Sequence, residues 1–281
     1  NILEKKCLEE MRALQFTETY NYSFINEKIS EIFKYKNLQE MEKPVSLEYK
    51  YLRPSLLPGI LRNVAENEKI IEEFHTFEIG KVFNNLNEKK MIAGASFPST
   101  FLEMKGKIHL FLKRLFIEDI SYSSFSSKFL CNCAEVKSGK EVIGVIGEVR
   151  AEIKKEMGIK NSVSLFELDL EKLRSLAKER DCYDPIRRFP EAVRDISLLL
   201  PQKTKYEDVA KKIKREGGKL LREITLFDIY EGEEIPQEMK SFAFRLFFQA
   251  SNKTLSSEEV NKIRDKIIKS LDSMPEWKVR K

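Results

Sequence analysis

The ten residues from Lys240 to Gln249 alternate large apolar side chains with small or polar ones. Successive side chains of a β-strand point to opposite faces of the sheet, so positions two apart share a face. The large apolar side chains fall on one such face and are Phe242, Phe244, Leu246 and Phe248. Four side chains of this size cannot all remain in water, so we predict that helices cover this face. The opposite face receives Ser241, Ala243, Arg245, Phe247 and Gln249.

Helices are predicted on both sides of this strand in the sequence. Residues 204–207 and 256–259 have the spacing of capping boxes, in which two groups satisfy each other's free backbone donors at a helix start. Gly217 and Gly218 end the first of these helices. Strands predicted at 192–200, 220–230 and 277–280 complete the order βαββαβ. This is the ferredoxin-like topology, in which two helices cover one face of the sheet and leave the other face open.

Alternation in the neighbouring strands predicts which further side chains reach the open face. It places Phe227 and Ile229 in the core. The side chains that it exposes are Asp195, Ser197, Asp228 and Tyr230. Exposed rings, donors and a carboxylate suit a surface that binds unpaired bases. The alternative is that another domain covers this face and that Asp195 and Arg245 form a structural ion pair, and the pattern favours neither.

The first 180 residues mix helical and strand patterns. Apolar residues recur at helical spacing in 2–14, 56–64 and 104–116, whereas 18–24, 74–83, 142–149 and 162–168 read as strands. This mixture is typical of an α+β domain with a largely antiparallel sheet. Pro185 and Pro190 favour extended backbone before them, so we place a linker at 181–190, between a domain at 1–180 and a domain at 191–281.

The composition restricts the class of function only weakly. With 281 residues, 42% of them hydrophobic, the chain can form two domains, and no apolar stretch is long enough to cross a membrane. The net charge is +5, and residues 183–281 carry 21 Lys and Arg against 17 Asp and Glu, which suits an anionic partner. The four cysteines lack the paired spacing of a zinc site, so we predict reduced thiols, no metal and a cytoplasmic location.

Four segments near the chain end resemble, in order, the ferredoxin-fold anticodon-binding domain of phenylalanyl-tRNA synthetases. They are Phe-Pro-Glu-Ala-Val-Arg-Asp-Ile-Ser at 189–197, Leu-Phe-Asp-Ile-Tyr at 226–230 with Gly232, Lys-Ser-Phe-Ala-Phe-Arg-Leu-Phe-Phe-Gln at 240–249, and Thr-Leu at 254–255. The ordered combination is more specific than any single segment.

The upstream region resembles the catalytic-like module of the bacterial β subunit, a class II synthetase-like antiparallel sheet domain. The segments that carry this resemblance include Leu-Arg-Pro-Ser-Leu-Leu-Pro-Gly-Ile-Leu at 52–61, Phe-Glu-Ile-Gly at 77–80, Gly-Val-Ile-Gly-Glu at 144–148 and Phe-Glu-Leu-Asp at 166–169. Two stretches depart from the family pattern. Residues 130–134 contain Cys-Asn-Cys where a His-Pro-Gly-Arg-like segment is common, and 43–46 read Lys-Pro-Val-Ser where Asn-Pro is usual.

The resemblance implies a phenylalanine–tRNA ligase whose chemistry lies in another chain. An adenylating class II synthetase needs a Gly-rich, Arg-containing segment for ATP, and this sequence has none. We therefore expect no catalytic residues here, with ATP and Mg²⁺ used by a partner α subunit. The implied partners are that α subunit, in an (αβ)₂ heterotetramer, and a phenylalanine tRNA.

The resemblance also implies a set of tRNA-binding residues. In the family, a carboxylate in the Phe-Asp-Tyr-like segment lies near the first anticodon base, so Asp228 is the leading base reader, and Tyr230 and Phe247 are candidates for stacking. The other candidate contacts are Ser241, Arg187, Arg188, Arg194, Arg245, Lys253 and Arg280. Arg194 and Arg245 suit structural ion pairs equally well.

Three other functions remain open at this point. A free-standing RNA-binding protein would use the open sheet as an RRM domain does. A single-chain organellar synthetase ends in the same anticodon-binding domain but needs the ATP motifs that are missing. A purely structural protein would use the open face as a subunit contact.

Overall fold

The computed structural model describes residues 2–84, 87–178, 188–232, 235–236 and 238–280. The chain divides into two compact units, residues 1–182 and 183–281. The predicted linker at 181–190 lies outside the described residues, except for 188–190.

The first unit is built on a seven-stranded sheet with the strand order β1-β4-β5-β9-β8-β7-β6. Every neighbouring pair is antiparallel except β1 and β4, which run parallel. The strands are β1 (Thr17–Glu18), β4 (Phe74–Asn84), β5 (Asn87–Phe97), β6 (Ile120–Ser124), β7 (Leu130–Ser138), β8 (Glu141–Val149) and β9 (Ser164–Asp169). Two short strands, β2 (Phe24–Ile25) and β3 (Tyr51–Leu52), pair with each other.

Helices cover both faces of this sheet. They are α1 (Ile2–Ala13), α2 (Glu27–Phe33), α3 (Leu57–Asn67), α4 (Phe101–Arg114), α5 (Ala151–Met157) and α6 (Leu170–Leu176). Helices α1, α4 and α6 contribute to one core cluster with Phe166, and α2, α3 and α5 contribute to a second cluster with Leu165. Because adjacent residues of β9 belong to different clusters, the central strands are apolar on both faces.

A buried ion pair lies beside the start of α3. Nη1 of Arg53 donates to Oε1 of Glu78 at 2.7 Å, and the two side chains are only 5% and 2% exposed. Nε of Arg53 also donates to the carbonyl of Lys81, and Asn21 donates to the second carboxylate oxygen of Glu78. A Cβ at Gly80 would lie 2.4 Å from the Arg53 guanidinium, so the glycine leaves the room that the arginine occupies.

Glu167 ties β9 to the start of α3. Its Oε1 accepts hydrogen bonds from the Leu56 backbone N–H at 2.8 Å and from the Ser55 hydroxyl at 2.9 Å. Desolvation of the carboxyl group nevertheless raises the pKa of Glu167 above its usual value. Burial therefore disfavours the charged form relative to the same carboxyl group in water.

A Glu167→Gln variant should lose a pH dependence of stability. A raised native pKa contributes stability that is complete below the unfolded pKa of about 4.3 and is lost as the pH rises through the native value. Gln keeps an oxygen for both hydrogen bonds but does not ionise, so the stability of the variant relative to the wild type should increase from pH 4 to pH 7. Urea unfolding at several pH values measures this difference, and a difference that stays constant or falls with pH would contradict the assignment.

The second unit has the predicted order βαββαβ. Its elements are β10 (Ala192–Pro201), α7 (Tyr206–Gly217), β11 (Leu221–Tyr230), β12 (Met239–Phe248), α8 (Ser257–Asp272) and β13 (Lys278–Arg280). The four strands form an antiparallel sheet in the order β11-β12-β10-β13. The four large side chains of β12 are all buried and pack with α7 and α8 in one core cluster, so the predicted covered face is confirmed.

Two predictions for this unit are wrong. Phe227 and Ile229 are 50% and 54% exposed rather than buried, because β11 is an edge strand and a β-bulge shifts its register between Leu226 and Asp228. Thr204 does not cap α7: the N-cap is Lys205, without a side-chain cap hydrogen bond. The Thr204 N–H instead donates to the carbonyl of Pro201 in a preceding turn. The second capping box, at Ser256 and Glu259, is confirmed.

Candidate nucleic-acid interface

The centre of the open face is an ion pair across the two central strands. Arg245 of β12 lies directly opposite Asp195 of β10. Its Nε and Nη2 donate to the two carboxylate oxygens of Asp195 at 2.9 and 2.8 Å, a bidentate arrangement that fixes the plane of the guanidinium. These hydrogen bonds hold the pKa of Asp195 below its usual value and raise the pKa of Arg245. Both side chains remain partly exposed.

The bulge in β11 brings Phe227 to the same face. Leu226 pairs with Phe244 on the covered face and Asp228 pairs with Ala243 on the open face, so Phe227 is the additional residue between these two positions. The Arg245 guanidinium carbon lies 4.9 Å from the centroid of the Phe227 ring, which is within the range of a cation–π contact. Phe227 and Asp228 therefore reach the open face as sequence neighbours, which regular alternation forbids.

Asp228 and Tyr230 lie further along the same edge strand. Asp228 is exposed, and Tyr230 pairs with Ser241 on the open face with its side chain partly exposed. A Cβ at Gly232 would lie 2.5 Å from the Tyr230 hydroxyl oxygen. A larger residue at position 232 would therefore require the tyrosine ring to shift.

The two ends of the open face are more covered than its centre. Ser241 is buried, and its hydroxyl lies 3.1 Å from that of Ser197. Gln249 is also buried and donates to the backbone carbonyl of Phe189 at 2.7 Å. Its side-chain oxygen accepts from Arg222. These two positions are therefore less accessible to a ligand than the middle of the face.

The predicted cationic residues lie in different places. Arg194 belongs to the helix-covered side, where its Nε donates to Asn261 of α8 at 2.9 Å. Lys253 is exposed and forms an ion pair with Glu259. Arg280 is exposed and pairs with Ser197 at the open face, and Arg188 is exposed just before β10. Arg187 lies outside the described residues.

The structure thus brings together part of the predicted site. Asp228, Tyr230, Arg245 and the half-buried Phe247 share the open face, whereas Arg194 does not. Phe227 was missed, since strict alternation assigns it to the core. The adjacent apolar pair Leu226 and Phe227 is a sign in the sequence that alternation breaks at this point. Contact of any of these residues with RNA stays a prediction.

Comparison with known protein families accounts for both units. Residues 1–170 match the family described as the phenylalanyl tRNA synthetase beta chain CLM domain. The chain belongs to the phenylalanyl-tRNA synthetase β chain family. Residues 187–280 match the ferredoxin-fold anticodon binding domain, so the family predicted for each unit is confirmed.

Curated relatives agree with this membership. The phenylalanine–tRNA ligase beta subunit of Moorella thermoacetica is 30% identical over 296 aligned residues, which cover 96% of this chain and 37% of that protein. The corresponding subunit of Bacillus licheniformis is 31% identical over 295 residues, covering 95% and 36%. The chain therefore spans little more than a third of the length of these β subunits.

Solved structures confirm the fold class. The pyrrolysyl-tRNA synthetase of Desulfitobacterium hafniense superposes with a TM-score of 0.54 at 16% sequence identity, over 61% of this chain and 67% of that one. At this identity the likeness concerns the fold alone. This likeness and the family matches together support the predicted fold class, a class II synthetase-like α+β domain followed by a ferredoxin-like domain.

In the described part of the chain, no helix is both long and apolar enough to span a bilayer. The same residues contain no group of three or more His, Cys, Asp or Glu side chains able to hold a metal ion. Cys7, Cys131 and Cys133 are free thiols, and burial raises the pKa of Cys7 to about 12.

Proposed function

We propose that this chain is the non-catalytic C-terminal region of a phenylalanine–tRNA ligase β subunit and that its second unit binds the anticodon region of phenylalanine tRNA. The observation that carries the proposal is the open sheet face of a ferredoxin-fold anticodon-binding domain, with Phe227, Asp228, Tyr230 and Arg245 exposed in one area. Rings, a carboxylate and a guanidinium are the groups that bind unpaired RNA bases.

The surroundings of Arg53 support a non-catalytic first unit. A class II synthetase needs an arginine to neutralise ATP phosphates, and the sequence resemblance would place it near Arg53 and Arg62. The Arg53 guanidinium is buried and is already neutralised by Glu78, which removes one of these two candidates. We therefore assign amino-acid activation, with its ATP and Mg²⁺, to a partner α subunit.

The proposed assembly is the one that the family resemblance implies. The first unit would pack against the α subunit in an (αβ)₂ heterotetramer of the cytoplasm, while the second unit holds the anticodon stem-loop. The RRM-like alternative is less well supported, because the rings at the open face are concentrated on the edge strand β11, and the central strand β12 contributes only the half-buried Phe247.

The carboxylate of Asp228 provides the test. It can accept from both the N1–H and the N2 amino group of guanine, so we expect Asp228→Asn to weaken binding of a phenylalanine anticodon stem-loop about tenfold or more, since hydrogen bonds to charged groups contribute about 1.5–3 kcal/mol. Fluorescence anisotropy with labelled RNA measures the affinity. Replacing the first anticodon guanine by inosine removes the amino group, and this should weaken the wild type much more than the variant.

The controls separate base reading from general electrostatics. Glu223→Gln removes another exposed carboxylate from the open-face side of β11 and should leave the inosine effect unchanged. Equal inosine effects in the wild type and in Asp228→Asn would exclude Asp228 as the guanine reader. A wild-type chain that binds the stem-loop no better than an unrelated hairpin would overturn the proposed function itself.

A further inference from the structure

The bulge in β11 places two consecutive side chains on one face of the sheet. A regular strand would expose Asp228 and bury Phe227, or the reverse. Here the additional residue lets the Phe227 ring lie on the open face beside the Asp228 carboxylate. A ring next to a base-edge acceptor is the combination that recognises a single unpaired base, by stacking on its plane and by hydrogen bonding to its edge.

The Phe227 ring is in contact with a fixed side chain of the open face. The Arg245 guanidinium lies over the ring, and Arg245 is itself fixed by its bidentate pair with Asp195. The residue is nevertheless 50% exposed, so a substantial part of the ring remains accessible. No residue of β11 is fully buried, and a half-exposed phenylalanine at this sheet edge gains little from its position in the folded protein alone.

We infer that Phe227 is a base-stacking residue of the RNA site, and that Asp195 and Arg245 are positioning residues that hold its ring. The ligand is an unpaired base of an RNA loop, stacked on Phe227 with its edge turned toward Asp228. This inference rests on the proposed function and adds to it a residue that alternation assigns to the core. The bulge is then the element that creates the base site.

The test compares two substitutions in the same strand. Phe227→Leu removes the ring from the open face. Ile229→Leu changes a side chain of similar exposure that lies opposite Phe242, on the helix-covered side. We expect Phe227→Leu to weaken binding of the anticodon stem-loop by about 5- to 150-fold, which corresponds to about 1–3 kcal/mol for one stacked base. Ile229→Leu should bind like the wild type, and Phe227→Tyr should restore most of the affinity.

The outcomes distinguish this inference from the function on which it rests. Anisotropy titrations use the 281-residue chain, and the fluorescence of Trp277 during thermal unfolding confirms that each variant is folded. If the wild type binds and Asp228→Asn weakens it, but Phe227→Leu does not, the stacking role is overturned and the function stands. The same conclusion follows if Phe227→Tyr is as weak as Phe227→Leu. If the wild type does not prefer the stem-loop, both proposals are overturned.

Discussion

Replacing Glu78 by Gln is expected to lower the free energy of unfolding of the first unit by about 3–5 kcal/mol. The substitution keeps the shape of the side chain but leaves the buried Arg53 guanidinium without its counter-charge, and breaking a buried pair from one side has a cost of this size. For a unit of about 180 residues this corresponds to a fall in melting temperature of about 6–20 °C. Differential scanning calorimetry measures the change.

Two further variants show whether the effect comes from the buried charge. Glu88 forms an ion pair with Lys81 whose side chains are both more than half exposed, so Glu88→Gln should change stability by less than about 1 kcal/mol. Combining Glu78→Gln with Arg53→Met removes the unpaired charge and should recover part of the lost stability. A double variant less stable than Glu78→Gln would show that the charge is not the cause.

Replacing Phe244 by Ala should destabilise the second unit by about 3–5 kcal/mol. The ring is completely buried in the core cluster, close to Phe242 and Tyr206, and its removal leaves a cavity under both helices. For a unit of about 100 residues we expect the melting temperature to fall by about 12–40 °C. Trp277 is the single tryptophan of the chain and packs against this cluster, so its fluorescence reports on the unfolding of this unit.

The matched control is the phenylalanine at the bulge. Phe227→Ala should change the stability of the unit by less than about 1 kcal/mol, since the ring is half exposed at the sheet edge. Regular alternation in β11 would instead place Phe227 in the core. Phe227→Ala would then destabilise the unit about as much as Phe244→Ala. Equal destabilisation by the two alanine variants would therefore contradict the bulge.

Local chemistry made much of the fold predictable. Pro58 marks the start of α3, and the reciprocal bonds of Ser256 and Glu259 begin α8, because both signals depend only on residues within one helical turn. The covered face of β12 was predictable from its four large apolar side chains, because alternation depends only on neighbouring residues of one strand. Thr204 is a residue type that often caps helices, but its backbone N–H already donates to Pro201 in the preceding turn. The sequence spacing of a capping box does not reveal that turn.

The site was less predictable because it depends on contacts between distant residues. The bulge arises from how β11 fits against β12, and its effect on Phe227 follows from that register. The closure of the face at Gln249 depends on Phe189, 60 residues earlier. The Asp195–Arg245 ion pair is one of the two alternatives that the sequence leaves open. Its presence means that Arg245 is not a free cation but is fixed in contact with the Phe227 ring.

The irregularity in β11 also protects the molecule against self-association. This strand is at the border of its sheet, where backbone N–H and C=O groups without partners could recruit a strand from another copy. The two register shifts in β11 interrupt that row of groups, and the charged Arg222 and Glu223 lie at the first of them. A variant of β11 without these two register shifts would therefore present a regular strand edge on which other copies of the chain could aggregate.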